Sequence, residues 1–141
     1  MLKRIIFVIL FVCVSIQARI IGGNLEGQTV PANTTKYACI LGVSQLSDNE
    51  SLREIILSES LSLDILSAKV IGYQPPDNYL FVIVRKNGED TSLAFYVDPS
   101  DGNYTTSASS EITFSSGDRV SLKIENYSNS VSAGIGAFSI K

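Results

Sequence analysis

The stretch Tyr79-Leu80-Phe81-Val82-Ile83-Val84-Arg85-Lys86-Asn87-Gly88 decides the fold class of this chain. Its apolar run over 79–84 has no polar face, which is typical of a strand that is covered on both sides between two layers. Asn87-Gly88 accepts the positive φ angles of a two-residue hairpin turn, so we expect the chain to reverse there and return as a strand over 92–97. The stretch therefore predicts a β-hairpin at the centre of a layered structure.

Alternation with a period of two continues outward from this hairpin. Val120, Leu122 and Ile124 alternate with polar neighbours, as in a strand with one buried face. The region 53–67 scatters its apolar residues around a helical wheel but alternates cleanly as strands. Further strands are predicted between turn signals, near 53–58, 61–67, 68–73, 104–107, 111–114 and 131–140. A total of about nine short strands predicts an all-β sandwich or barrel.

The amino terminus has the pattern of a secretory signal peptide over residues 1–18. Lys3 and Arg4 precede a short apolar run, and Ala18 is a small residue suited to the position before the cut. The apolar run is too short to span a bilayer. We therefore expect a secreted, extracellular protein with a flexible amino-terminal arm over 19–35, a β-sandwich domain over 36–141 and no membrane span.

Charge and the lack of histidine exclude several function classes. Loss of the signal removes Lys3 and Arg4 from the 11 basic residues, so nine basic residues face 14 acidic ones and the net charge becomes −5. No basic cluster is larger than Arg85-Lys86, so we expect no nucleic-acid partner. Without an imidazole, Ser-His-Asp and Cys-His mechanisms are excluded, and no pair among the acids stands out as a glycosidase pair. We expect no catalytic residues and no enzymatic activity.

Cys39 is the free thiol of the exported chain. Cys13 leaves with the signal, so no disulfide can form within the remaining chain. The alternation over 37–44 predicts that Cys39 lies in mid-strand, which favours a buried thiol. A bridge between two chains is the alternative for an unpaired cysteine in an exported protein.

Four Asn-x-Ser/Thr sequons agree with export, because this motif is the acceptor for N-linked glycans. Each falls in a predicted loop or turn, and they begin at Asn33, Asn49, Asn103 and Asn126. The Ser- and Asn-rich composition alone would produce one or two such motifs that carry no glycan.

The segment 98–103 offers a candidate metal site. Asp98, Ser100, Asp101 and Asn103 group oxygen ligands of the kind that Ca²⁺ takes, so Ca²⁺ is the one candidate cofactor. The spacing departs from the helix-loop-helix calcium loop, and an Asp-Pro-x-Asp-Gly turn explains the same residues.

Two regions of the chain resemble known families, and the first of them is short. Arg19-Ile20-Ile21-Gly22-Gly23 resembles the activation site of trypsin-like serine proteases, where a cut after the arginine frees an isoleucine amine. That resemblance ends there, because the chain has no histidine and no Gly-Asp-Ser-Gly-Gly loop, so we expect no protease.

The second resemblance covers roughly the last 60 residues and rests on four features in order: Lys86-Asn87-Gly88, Ser107-Ala108-Ser109-Ser110, Gly117-Asp118-Arg119-Val120-Ser121-Leu122 and Ala137-Phe138-Ser139-Ile140. These resemble the globular head of the complement first-component subunit q and tumour necrosis factor superfamily. The resemblance implies a jelly roll of two five-stranded antiparallel sheets with adjacent first and last strands. It also implies a homotrimer that packs along the last strands, near Gly134 and Gly136.

Together these features predict a secreted, non-enzymatic binding module whose partner is an extracellular protein or glycan. Exposed tyrosines such as Tyr73, Tyr104 and Tyr127 could stack on that partner, although the ligand-contacting residues of the superfamily are not recognisable here. The alternative is a lineage-specific secreted effector, such as a salivary, venom or reproductive-fluid protein, with an unrelated sandwich. Strand order separates the two interpretations.

Overall fold

The computed structural model describes residues 21–71, 80–97 and 105–141, which contain ten β-strands and one turn of 3-10 helix at Glu50–Leu52. The strands are β1 Ile21–Val30, β2 Thr34–Ala38, β3 Gly42–Val43, β4 Ile55–Ile56, β5 Leu61–Ile71, β6 Leu80–Lys86, β7 Glu89–Val97, β8 Thr105–Phe114, β9 Arg119–Asn126 and β10 Ala133–Ile140. The predicted signal peptide lies outside the described residues.

The strands form two five-stranded sheets. Sheet A has the order β3-β1-β10-β5-β8, and sheet B has the order β2-β9-β6-β7 with β4 also paired to β9. Their pairings are antiparallel except for a short parallel contact between β1 and β3. In sheet A the first described strand, β1, lies beside the last, β10. The predicted all-β sandwich of jelly-roll type is thus confirmed.

The core lies between the inner faces of the two sheets. Leu66, Phe114 and Ile135 of sheet A and Val82 and Leu122 of sheet B are fully or almost fully shielded from solvent. Each such side chain contributes about 1.5–3 kcal/mol when it leaves water. This burial holds the two sheets together and fixes which face of each strand remains available for binding.

The central hairpin forms where the sequence predicts it. Strand β6 lies between β9 and β7, and Asn87 and Gly88 both take positive φ angles, of 54° and 84°. Leu80, Val82 and Val84 point into the core, and Ile83 on the opposite face is only 7% exposed. The inner face of β6 is therefore fully covered, whereas its outer face is buried at Ile83 and only partly covered at the outward positions 81 and 85.

The predicted flexible arm over 19–35 differs from the structure. Residues 21–30 form β1, which pairs with β10 and buries Ile21, Leu25 and Val30. A bulge at Glu26-Gly27, where both residues have positive φ, shifts the register and moves Leu25 and Val30 to opposite parities. The bulge hides the strand periodicity from a reading of the sequence.

Bulges also explain why the predicted strand limits are only partly right. The predicted strands at 61–67 and 68–73 are one strand, β5, and those at 104–107 and 111–114 are one strand, β8. Their pairing shifts register between Leu63 and Ile65, so that Leu63 and Leu66 are buried while Ile65 is only partly covered. Near 53–58 only the two-residue strand β4 forms.

Gly23 in β1 lies too close to its neighbours to carry a side chain. A Cβ there would stand 2.4 Å from the Gly42 carbonyl oxygen and 2.9 Å from the Phe138 ring. We predict that Gly23→Ala lowers the free energy of unfolding by about 1–3 kcal/mol, because β1 must move away from β3 or from the core. The urea midpoint measures this loss.

Ser109→Ala is the control for this prediction, because Ser109 is exposed on β8 at the far edge of the same sheet. Its free energy of unfolding should stay within about 0.5 kcal/mol of that of the parent protein. Equal midpoints for all three proteins would contradict the close approach of β1 and β3.

Candidate binding face on sheet B

Several residues singled out in the sequence lie outside the described part of the chain. These are the candidate calcium ligands Asp98, Ser100, Asp101 and Asn103, the last of which is also a sequon, and the tyrosines Tyr73 and Tyr104. Within the described residues, no group of three or more His, Cys, Asp or Glu side chains could hold a metal ion.

Cys39 differs from its prediction as a buried mid-strand residue. Strand β2 ends at Ala38, and the side chain of Cys39 is partly exposed and unpaired. Ala38 and Ile40 take the buried positions on either side, which turns Cys39 away from the core. Its backbone N–H donates to Ser44 Oγ at 3.0 Å, so a side chain rather than a sheet neighbour satisfies it. The interchain bridge stays a prediction.

The described sequons fall into two classes. Asn33 is exposed in the turn between β1 and β2, and Asn49 is exposed at the start of the 3-10 helix, where its side chain accepts from Ser51 N. Asn126 is only 2% exposed. Its Nδ2 donates to the carbonyl oxygens of Val30 and Val131, each at 2.9 Å.

The structure therefore corrects the prediction of a glycan at Asn126. A glycan would be attached to Nδ2, which here lies in the interior and donates both of its protons to backbone carbonyls. The motif Asn126-Tyr127-Ser128 instead forms a turn, in which Ser128 N–H donates to Asn126 Oδ1 at 2.9 Å. Glycosylation of Asn33 and Asn49 stays a prediction.

Three aromatic side chains, Phe81, Tyr96 and Tyr127, form an aromatic patch on the outer face of sheet B. The ring of Phe81 on β6 lies 5.9 Å from that of Tyr96 on β7 and 5.4 Å from that of Tyr127, which follows β9. The contact with Tyr127 is edge-to-face, a geometry that aromatic quadrupoles favour. Tyr96 and Tyr127 are each more than half exposed, at 56% and 54%.

A hollow of about 150 Å³ adjoins the aromatic patch and is lined by Asn33, Thr34, Thr35, Glu125, Asn126 and Tyr127. Strands β2 and β9 form its floor, where Thr34 pairs with Asn126 and Thr35 with Glu125. The Tyr127 hydroxyl donates to Glu125 Oε2 at 3.2 Å. One aromatic side chain thus stands beside hydroxyl, amide and carboxylate groups, a combination suited to a small polar ligand with an apolar face.

A charged cluster occupies the other end of the same face. Arg85 on β6 makes two hydrogen bonds of 3.0 Å to the Glu50 carboxylate and also pairs with Asp90. Lys123 on β9 lies 2.5 Å from Asp90 Oδ2 and 3.2 Å from Glu125 Oε1. These pairs tie the 3-10 helix, β6, β7 and β9 together across the outside of sheet B.

The pKa shifts in the charged cluster all favour the ionised forms. The hydrogen bond from Arg85 lowers the pKa of Glu50, and Glu50 in turn raises the pKa of Arg85. Burial is the largest single influence on Asp90 and Lys123 and opposes their ionisation, but their charged partners together outweigh it. Lys123 and Arg85 lower the pKa of Asp90, and Asp90 and Glu125 raise the pKa of Lys123. Such groups hold their charge near neutral pH and serve as fixed ion pairs.

A second polar site, the turn lock, joins Asn87 to Asp118. Asn87 Nδ2 donates to Asp118 Oδ1 at 2.7 Å, and Arg119 N donates to Asn87 Oδ1 at 2.9 Å. The backbone N–H of Ser115, together with Asn87 and Lys86, lowers the pKa of Asp118 to about 2. The turn lock joins two segments quoted for the superfamily resemblance, one around Asn87-Gly88 and the other around Gly117-Asp118.

The sequence singled out Tyr127 but not its two aromatic neighbours. A regular two-residue turn at Asn87-Gly88 would pair Phe81 with Ala94, whereas a register shift between Ile83 and Arg85 brings Tyr96 opposite Phe81. The charged cluster was also missed, since Glu50 lies 35 positions before Arg85. No local pattern indicates either contact.

Comparison with protein-family models and with curated proteins finds no match for this chain. No helix in the described ranges is long and apolar enough to cross a bilayer.

Stability should fall in acid partly through Asp118. Its folded-state pKa of about 2 is below the unfolded value near 3.9, so its contribution is present above about pH 5 and is lost as pH falls through 4 to 2. We predict that the urea midpoint of Asp118→Asn lies below that of the parent protein at pH 7, and that the gap closes between pH 4 and 2.

Asp64→Asn, which removes an exposed carboxylate on β5, is the control for the loss of one negative charge. If the urea midpoint of Asp118→Asn lay below that of the parent protein by the same amount at pH 7 and at pH 2, the ionised Asp118 of the turn lock would not be the cause of the difference.

Asn126 should matter to stability in protein that carries no glycan. We predict that Asn126→Ala, made in a bacterial host, lowers the free energy of unfolding by about 2–3 kcal/mol, because two carbonyls and the Ser128 N–H lose their partner. Chemical denaturation measures the loss. Asn33→Gly, at an exposed position with φ of 52°, should change stability by about 0.5 kcal/mol or less. If Asn126→Ala left the free energy of unfolding unchanged, the structural role of the Asn126 amide would be refuted.

Proposed function

We propose that this chain is a secreted, non-enzymatic recognition module of the complement first-component subunit q and tumour necrosis factor type, which assembles as a homotrimer. The strand order carries the proposal. Two five-stranded sheets with β1 beside β10 match what the sequence resemblance implies. Jelly rolls also occur in viral capsid and lectin domains, so the four short sequence motifs are what favour this superfamily among them.

The turn lock adds support from side chains. Two of the motifs come from separate turns, yet Asn87 bonds to both Asp118 and Arg119 in the folded chain. Lys86 of the first motif also lies 3.2 Å from Asp118 Oδ2. Two of the four motifs that resemble the superfamily are therefore bonded to each other in the folded chain. This contact supports treating the motifs as parts of one resemblance.

The electrostatics favour binding over turnover. Enzymes use acids and bases whose pKa values are moved toward neutrality, so that protons can be exchanged. The shifts in the charged cluster run the other way, since Glu50 and Asp90 are held as anions and Lys123 as a cation. The ion-paired groups of the charged cluster thus keep their charges near neutral pH and hold neighbouring strands together.

The two outer faces suit different partners. On sheet A, Ala137 and Ser139 of β10 are exposed, and Val43 at the β3 edge is 70% exposed. Gly134 and Gly136 are covered within the chain itself, so the exposed pair on β10 is where a second copy would pack. The aromatic patch on sheet B, whose two tyrosines are more than half exposed, is the face that an extracellular protein or glycan would contact.

Sedimentation of the exported protein tests the assembly. We expect a mass of three chains at micromolar concentration, and we expect Ala137→Arg to give monomers, because a long charged side chain on β10 blocks close packing. Ile56→Arg is the matched control, since Ile56 is 72% exposed on β4 of the other sheet, and it should remain trimeric. A parent protein that sediments as a monomer would falsify the homotrimer and leave the effector interpretation.

A further inference from the structure

We propose that the hollow beside Tyr127 seats the first N-acetylglucosamine of a glycan attached to Asn33 of the same chain. The inference uses only the export part of the proposed function and is independent of the trimer. It assigns an occupant to the hollow and a role to Tyr127 that the sequon alone does not.

The end of the β2–β9 ladder brings the attachment point and the ring together. Thr34 pairs with Asn126 as the last registered pair of this ladder. Asn33 lies one residue beyond it in a turn and donates its N–H to the carbonyl oxygen of Ser128 at 3.0 Å. Asn33 and Tyr127 therefore flank the same end of the ladder, and both line the hollow.

The Asn33 amide is available, whereas the Asn126 amide is not. Asn33 is exposed, and its side chain makes no hydrogen bond with any residue in the described part of the chain. Its φ of 52° fits a turn that asparagine tolerates well, and Thr34 Oγ1 fixes that turn by donating to Pro31 O at 2.8 Å. Of the two sequons that line the hollow, only Asn33 can carry a glycan in this fold.

Tyr127 is held as a platform before any sugar arrives. Phe81 contacts its ring edge-to-face at 5.4 Å, and its hydroxyl is bonded to Glu125. A pyranose has an apolar face of C–H groups that stacks on such a ring, and a ring that is already fixed loses little entropy when it binds. Thr35 and Glu125 supply polar groups for the N-acetyl and hydroxyl substituents.

The size of the hollow favours a single sugar. Sites for drug-sized ligands occupy about 300–1,000 Å³. The hollow has about 150 Å³, room for part of one ring and not for an extended oligosaccharide. The rest of the glycan would project from the turn into solvent.

The covalent step is supplied by the host. The oligosaccharyltransferase of the secretory pathway joins Asn33 Nδ2 to the anomeric carbon of N-acetylglucosamine. The amide nitrogen gives up one proton, and the lipid diphosphate that carried the sugar leaves. The chain contributes the accessible amide and the seat.

The test uses full-length protein secreted from a eukaryotic host, with Ser51→Ala and Thr105→Ala removing the sequons at Asn49 and Asn103. Intact mass and peptide mapping should find a glycan on Asn33 and none on Asn126. Endoglycosidase H then leaves one N-acetylglucosamine on samples with high-mannose glycans, and the same variant made without its signal peptide in a bacterial host is the sugar-free reference, because it retains the Asn33 amide. We expect the single-sugar protein to melt about 2–5 °C above the sugar-free protein.

Two variants decide the role of Tyr127. In Tyr127→Ala the difference between single-sugar and sugar-free protein should vanish, while in Tyr96→Ala, the other exposed tyrosine of the aromatic patch, it should persist. Proton NMR gives a second measurement, since ring protons of the sugar should shift upfield in the parent protein and not in Tyr127→Ala.

The outcomes separate the possible failures. An unoccupied Asn33 in secreted protein overturns the inference. An occupied Asn33 whose sugar neither stabilises the fold through Tyr127 nor shows the upfield shift overturns the seat while leaving export intact. A chain that is not secreted overturns export itself, and sedimentation decides the trimer separately.

Discussion

The antiparallel pairing of β1 with β10 joins the two ends of the described chain, and the order of sheet A follows from it. Strand β10 also pairs with β5, so it links β1 to the rest of the sheet. The same pairing brings Val30 and Val131 close enough for Asn126 of sheet B to bond to both carbonyls. One ladder thereby connects both sheets, and the hollow and the aromatic patch lie just beyond the end of β9 that it anchors.

The outer face of sheet B separates rigidity from recognition. At one end, Glu50, Arg85 and Asp90 hold three elements in place through ion pairs. At the other end, Tyr127 and its neighbours present aromatic and polar groups to solvent, with Glu125 touching both regions. Exposed ion pairs contribute little to stability one by one, but a connected set restricts the relative motion of the strands beneath a ligand. The charged cluster thus limits the movement of the strands that carry the aromatic patch.

Hydrophobic periodicity predicted the central hairpin and the two-layer architecture, because the burial of β6 and the backbone needs of Asn87-Gly88 are local properties. Periodicity did not predict the strands or contacts that depend on a register shift. The bulge at Glu26-Gly27 interrupts the alternation of β1, and the shift between Ile83 and Arg85 places Tyr96 opposite Phe81. The sequence singled out Tyr127 and the sequon at Asn33, both of which line the hollow, whereas Asn126 has a loop-like sequon but a buried amide that the folded chain alone reveals.

The position of β10 between β1 and β5 also governs how the protein is made. A chain synthesised from its amino end produces β1 to β9 before β10, so β1 and β5 cannot be joined within sheet A until β10 has emerged. Pairings this distant in sequence slow folding and leave strand edges open to other chains in the meantime. A chain that lacks the eight residues of β10 would therefore leave the facing edges of β1 and β5 unpaired and open to other chains.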